Sequence, residues 1–241
     1  MKNFLKKPNV PLIIIVSFIV ILCIVFSIVC IVFVQGTNSL ATQQRWASGK
    51  ESFDNAYEIA AADKDTPDKT LYIPKLTEFL GKNVSDAVAS LGSGASVISS
   101  TSNQVIVNLT NEAANVKSGS TTISFDLNKE IVKCVHFRCN TWALGYGALS
   151  FTDLINNEHC IEKSLNEAGL NLEYGSVIAP TNRSTYTSYA ADGVTVEKES
   201  FTFHGRSGKY NWEANMTFDY SIANTKGNLA DTVRTIEISI S

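Results

Sequence analysis

The chain has 241 residues, 44% of them hydrophobic, with 20 basic and 23 acidic side chains and a net charge of −3. That slightly acidic balance argues against nucleic acid as the main partner, because phosphate binding needs a basic stripe. Much of the apolar content sits in one block near the N-terminus, so whole-chain averages describe neither part of the protein.

In chain order, residues 1–9 carry Lys2, Lys6 and Lys7 and no acid. Residues 10–34 then run for 25 positions without a charge, Ser17 and Ser27 being the only hydroxyls. As a helix this run is about 37 Å long, enough to cross a hydrocarbon core of about 30 Å with some tilt. It is rich in Ile and Val, yet in lipid only a helix satisfies the backbone polar groups of a lone span. The expectation is a single-pass transmembrane helix over 10–34. The lysines on the near flank, against no basic residue on the far side before Arg45, predict a cytoplasmic N-terminal tail and an extracytoplasmic C-terminal part held at the cell membrane. A cleaved secretory signal is the alternative, with Ser39 and Ala41 at the −3 and −1 positions. The run exceeds the roughly 7–15 apolar residues of a usual signal core.

Residues 1–34 hold three of the basic side chains and none of the acidic ones, so the remainder carries 17 against 23, a net −6. This argues against anionic lipid as a partner of the outer part beyond the anchor itself. Residues 35–70 read as a juxtamembrane helix and linker. Phe53, Ala56, Tyr57, Ala60 and Ala61 keep helical spacing, and the charged stretch 63–69 breaks at Pro67.

The globular part is α+β: helix followed by several antiparallel strands, twice, over 71–148 and 149–241. Two tandem units and one fused sheet are equally compatible with that order. In the first unit, 76–91 predicts short helical pieces broken at Gly81, capped by Ser85 and stopped at Gly92. Strands are expected at 96–100, 105–110, 121–127 and 131–138, the last two joined by a turn at Asn128-Lys129. In the second unit, Ser150 and Asp153 open a helix that the spacing carries over 151–168 to Gly169. Alternation of Trp212, Ala214, Met216, Phe218, Tyr220 and Ile222 with polar residues predicts a strand wet on one face, and Ile236, Ile238 and Ile240 predict another. Asp192-Gly193 and the Gly205–Gly208 stretch read as hairpin turns around a strand over 194–204.

Leu80-Gly81, then Val84-Ser85-Asp86-Ala87-Val88 running to Leu91-Gly92, and later Ile123-Ser124-Phe125-Asp126-Leu127 ahead of Glu130-Ile131-Val132, carry a likeness. On these residues, 71–148 resembles the BamE and beta-lactamase-inhibitor-protein fold group. The resemblance implies a helix packed on an antiparallel meander and a role in binding other proteins through the sheet face.

No catalytic constellation stands out. There is no Gly-x-Ser-x-Gly nucleophile, and Gly205-Arg206-Ser207-Gly208-Lys209 lacks the spacing and following helix of a phosphate loop. Cys134 and His136 share a strand face, and His159 and Cys160 lie together, but no CxxC or HxxxH pair positions a zinc ion, so no metal or cofactor is expected. Glu158-His159 reads as a solvated helical pair. Glu197 and Glu199 read as a solvent-facing acidic ladder. Outside the anchor are Cys134, Cys139 and Cys160. The first two are about 16 Å apart on one strand, too far for a disulfide, and a bond from Cys160 requires its helix to pack over that strand. Trp142, Tyr146 and Phe151 form the one loop rich in large apolar groups, read either as core between the units or as a binding rim.

Taken together, these features predict a membrane-anchored extracytoplasmic binding or sensing domain without catalytic activity, in contact with a protein or cell-wall partner. The alternatives are a tethered envelope hydrolase, requiring a cleft that gathers His136, Cys160 and an acid, and a structural envelope component with a long, flat sheet edge.

Overall fold

The computed structural model describes residues 69–109 and 120–241; the anchor, juxtamembrane helix and most of the linker expected over 1–70 lie outside them. Among the described residues, no helix is long and apolar enough to cross a membrane. The strands are β1 (Ala95–Ser100), β2 (Gln104–Leu109), β3 (Thr121–Asn128), β4 (Ile131–Asn140), β5 (Thr187–Tyr189), β6 (Val196–Ser207), β7 (Tyr210–Asp219) and β8 (Val233–Ile240). The helices are α1 (Val84–Ala89), α2 (Phe151–Asn156), α3 (Cys160–Glu167) and α4 (Ser221–Lys226).

All eight strands form one antiparallel sheet in the order β1-β2-β3-β4-β8-β7-β6-β5. Each half is a helical segment followed by a four-strand meander, and the last strands of the two meanders, β4 and β8, pair at the centre from Val135↔Ile240 to Asn140↔Thr235. Of the two arrangements compatible with the sequence, the fused sheet is the one formed. Sheet pleating sends alternate side chains to opposite faces. One face carries Val107, Phe125, Phe137, Ile238, Met216 and Phe203, all buried. The helical segments close over it, with Phe79 edge-on to Phe125 at 5.5 Å in the first half and Phe151 edge-on to Phe218 at 5.4 Å in the second. Each such aromatic or aliphatic burial contributes about 1.5–3 kcal/mol.

Several boundaries differ from the sequence expectation, each for a local reason. The cap of α1 is Asn83, whose side chain accepts the Ser85 N–H, so Ser85 is inside the helix. The β3–β4 turn is Lys129-Glu130, one residue later than expected, with both residues at positive φ as a tight hairpin requires. The helix expected over 151–168 is two helices, because His159 sits at φ 52° and breaks the ladder between them. The strand expected to reach Ile222 stops at Asp219, whose carboxylate accepts the Ser221 N–H and hydroxyl and starts α4; this leaves Ile222 exposed on that helix. Gly205 and Arg206 belong to β6, and the turn is Gly208-Lys209.

The chain enters the folded part between the halves. Thr70 and Leu71 donate backbone N–H groups to Ala143 O, Ile73 N–H donates to Glu167 Oε1 at 2.7 Å, and Lys69 Nζ pairs with Glu167 Oε2 at 2.6 Å. The linker therefore arrives on α3 of the second half before the first half begins.

Candidate functional site

The sheet face opposite the helices is largely polar, though Ile106 also lies on it, and most of its side chains are half-buried or exposed. Cross-strand register aligns them in rows. One row runs Ser124, His136, Ser239, Glu213 and His204 across β3, β4, β8, β7 and β6, and the next runs Thr122, Arg138, Glu237, Asn215 and Thr202. A cleft of about 650 Å³ lies along the first row, bordered by Cys134, His136, Ser239, Glu213, His204 and Arg206. Both signs of charge and many hydroxyl and amide groups are presented on this surface.

At its most chemically distinctive point stand Asp126, Cys134 and His136. Asp126 is directly opposite Cys134 in the β3–β4 register, and His136 follows two residues on, which puts all three on the open face. That alignment depends on a bulge. Asn128 pairs with Ile131 and Leu127 with Val132, so an unbroken ladder would bring Asp126 opposite Lys133; the register shift between Asp126 and Leu127 brings it opposite Cys134 instead. The ligand atoms of the three residues lie within 4.8 Å of one another. His136 Nε2 is 2.9 Å from Asp126 Oδ2, and its Nδ1 is 2.7 Å from Ser239 Oγ. Asp126 Oδ1 accepts from Gln104 Nε2 at 2.9 Å. Cys134, and after it Asp126, outweigh desolvation and hold His136 up at about 9. Burial on its own raises the Asp126 carboxyl, but the His136 and Gln104 hydrogen bonds prevail and hold it below the usual carboxylate range.

The other expected site residues are dispersed. His159 and Cys160 lie on the helical side, so the four-residue zinc grouping does not assemble, and neither does the hydrolase cleft of His136 with Cys160. His159 is half-buried against Tyr174, with ring centroids 5.7 Å apart, rather than part of a solvated helical pair. Cys134, Cys139 and Cys160 are all free thiols. Burial pushes Cys160 up to about 12 and Cys139 well above the usual thiol range. Of the aromatic loop, Phe151 is 2% exposed and stacks on Tyr186 at 4.8 Å, as a core residue does. Trp142 and Tyr146 are half-buried, and Tyr146 packs against the core.

The acidic ladder is also corrected. In the β6–β7 ladder Glu199 alternates with Phe201 and Phe203 onto the helical side, where it is 4% exposed, and the skip in the β5–β6 register separates the exposed Glu197 from it. Its Oε1 accepts from Arg183 Nε at 3.1 Å and Nη2 at 3.0 Å, and its Oε2 accepts from the Tyr220 hydroxyl at 2.5 Å. This is a structural ion pair that fastens the 183–189 segment to β6.

Comparison of the chain with protein-family models, with curated proteins and with solved structures finds no match to any of them.

Proposed function

We propose that this protein is a membrane-anchored extracytoplasmic binding or sensing module without catalytic activity, which contacts a protein or cell-envelope partner through the open face of its sheet. The observation that carries the reading is the asymmetry of the sheet: one face is closed by helices, and the other presents rows of polar and charged side chains across its strands. A face of that width, with Arg138, Glu237, Glu213 and His204 interspersed, suits a polar, hydrogen-bonded interface rather than enclosure of a small substrate. The charge-free run over 10–34 supports the anchor, and the likeness of 71–148 to the BamE and beta-lactamase-inhibitor-protein fold group supports protein recognition by a sheet face. The free edges favour a binding module over a stacking structural component. Edge strand β1 is bulged between Val97 and Ser99, and β5 has only three residues, both devices that discourage strand-to-strand assembly.

The test is site-specific photo-crosslinking in intact cells, with the crosslinker at Thr202 or Glu213 on the open face and at Lys163 on the helical side. A discrete adduct from the first two positions and none from Lys163 is expected. Adducts from Lys163 alone, or from no position, would overturn the assignment of the face.

A further inference from the structure

We infer that Asp126, Cys134 and His136 form a three-donor site for a divalent transition metal of the zinc class, open to solvent at its fourth position. The donor set is one carboxylate oxygen, one thiol sulfur and one imidazole nitrogen, a mixture that suits zinc and disfavours magnesium or calcium. Zinc bonds of about 2.0–2.3 Å set tetrahedral donor-to-donor edges of roughly 3.3–3.6 Å. With every ligand atom within 4.8 Å of the others, small side-chain rotations bring the three to that spacing.

The outer contacts make this more than a surface ion pair. Each polar ligand has one atom turned inward and one held from behind: His136 presents Nε2 while Ser239 holds Nδ1, and Asp126 presents Oδ2 while Gln104 holds Oδ1. Metal-ligating histidines and carboxylates are oriented in this manner, because the outer hydrogen bond fixes ring tautomer and carboxylate direction. An Asp–His pair alone needs neither outer contact, nor a bulge that turns a cysteine toward it. All three residues are half-buried, so the site is reachable from the cleft. The ion binds the thiolate, the carboxylate and the neutral imidazole, so any protons these groups carry leave to solvent as it enters. The site stands independently of the docking reading, since zinc binding is measured on the isolated protein and crosslinking requires a partner.

The experiment uses the full chain purified in detergent, titrated with zinc against a chromophoric chelator and with cobalt(II) as a spectroscopic probe. One equivalent of zinc is expected, and the cobalt form is expected to show a sulfur-to-metal charge-transfer band. Cys134→Ser should abolish that band, and His136→Gln and Asp126→Asn should remove stoichiometric binding. Ser239→Ala, which touches no ligand atom facing the ion, should weaken binding by about 10- to 100-fold. His159→Asn, on the helical side, should bind as the parent does. Melting of the metal-free variants alongside the parent separates lost binding from lost folding, and the mild Ser239→Ala change keeps the test decisive if another variant unfolds. Absence of binding in the parent, or an equivalent that survives in Cys134→Ser and His136→Gln, would overturn the site.

Discussion

Phe137 of β4 faces Ile238 of β8, and both side chains are fully buried at the line where the two meanders become one sheet. Because this register is shared by both halves, neither buries its last strand without the other. Cooperative unfolding of the described part follows. Ile238→Ala should cost about 2–5 kcal/mol through lost burial and the cavity it leaves. Denaturant unfolding followed at Trp142, in the first half, and at Trp212, in the second, should give superimposable transitions that shift together in the variant. Separate transitions would show that the halves fold as independent units.

Glu199 is the second point of leverage. Replacing it with Ala removes the carboxylate that accepts from the Arg183 guanidinium and the Tyr220 hydroxyl. Breaking a buried pair costs about 3–5 kcal/mol, and the 27% exposure of the Arg183 side chain brings the expectation to about 2–3 kcal/mol. Tyr220→Phe removes one hydrogen bond to a charged group, worth about 1.5–3 kcal/mol at most. Urea denaturation of the two variants should rank Glu199→Ala as the more destabilised. The reverse order would mean that the ion pair contributes little beyond its hydrogen bond to Tyr220.

The α+β class and the order of elements were legible in the sequence because they rest on long periodic signals. Ile236, Ile238 and Ile240 alternate without a break, and the Ser150 cap was found with its partner Asp153. The misplaced features depend on single residues that reverse parity or direction. Glu199 keeps the inward parity of Phe201 and Phe203 while the skip sets Glu197 apart from it, and the left-handed His159 splits one expected helix in two. Asp126 escaped notice as a partner of Cys134 and His136 for the same reason. A turn at Asn128-Lys129 places Ile131 opposite Asp126; the later turn moves that partner to Lys133, and the bulge moves it to Cys134. Asn83-Val84-Ser85 and Asn182-Arg183-Ser184 share one local geometry, in which the asparagine caps a helical turn by accepting from the backbone and hydroxyl of the serine.

Gly205 gives a steric prediction that needs no electrostatics. It faces Trp212 across β6 and β7, and a Cβ added there would lie 2.5 Å from Trp212 Cζ2 and 2.7 Å from Cε2, so the indole must move. Overpacking of this kind costs about 1–3 kcal/mol. Gly205→Ala should shift Trp212 emission to longer wavelength as the ring leaves its 8%-exposed position, and should lower the melting temperature. Unchanged emission would place the indole elsewhere in solution.

Thiol chemistry reports on both faces of the sheet at once. Cys134 is half-buried on the open face, whereas Cys139 and Cys160 are buried on the helical side. Burial places Cys160 at about 12, which leaves roughly one thiol in ten thousand ionised at about pH 8, and the thiolate is the reactive form. Alkylation of the native chain in the presence of a chelator, followed by peptide mapping, should therefore modify Cys134 alone among these three. Raising the pH to about 10 still lies below the Cys160 value, so Cys160 should stay unmodified until denaturant is added. Because its thiol form is the one stabilised by the fold, that stabilisation is complete below the ordinary thiol value of about 9 and is lost as the pH climbs to about 12. Labelling of Cys160 as fast as Cys134 in the native chain would mean that α3 does not cover β4.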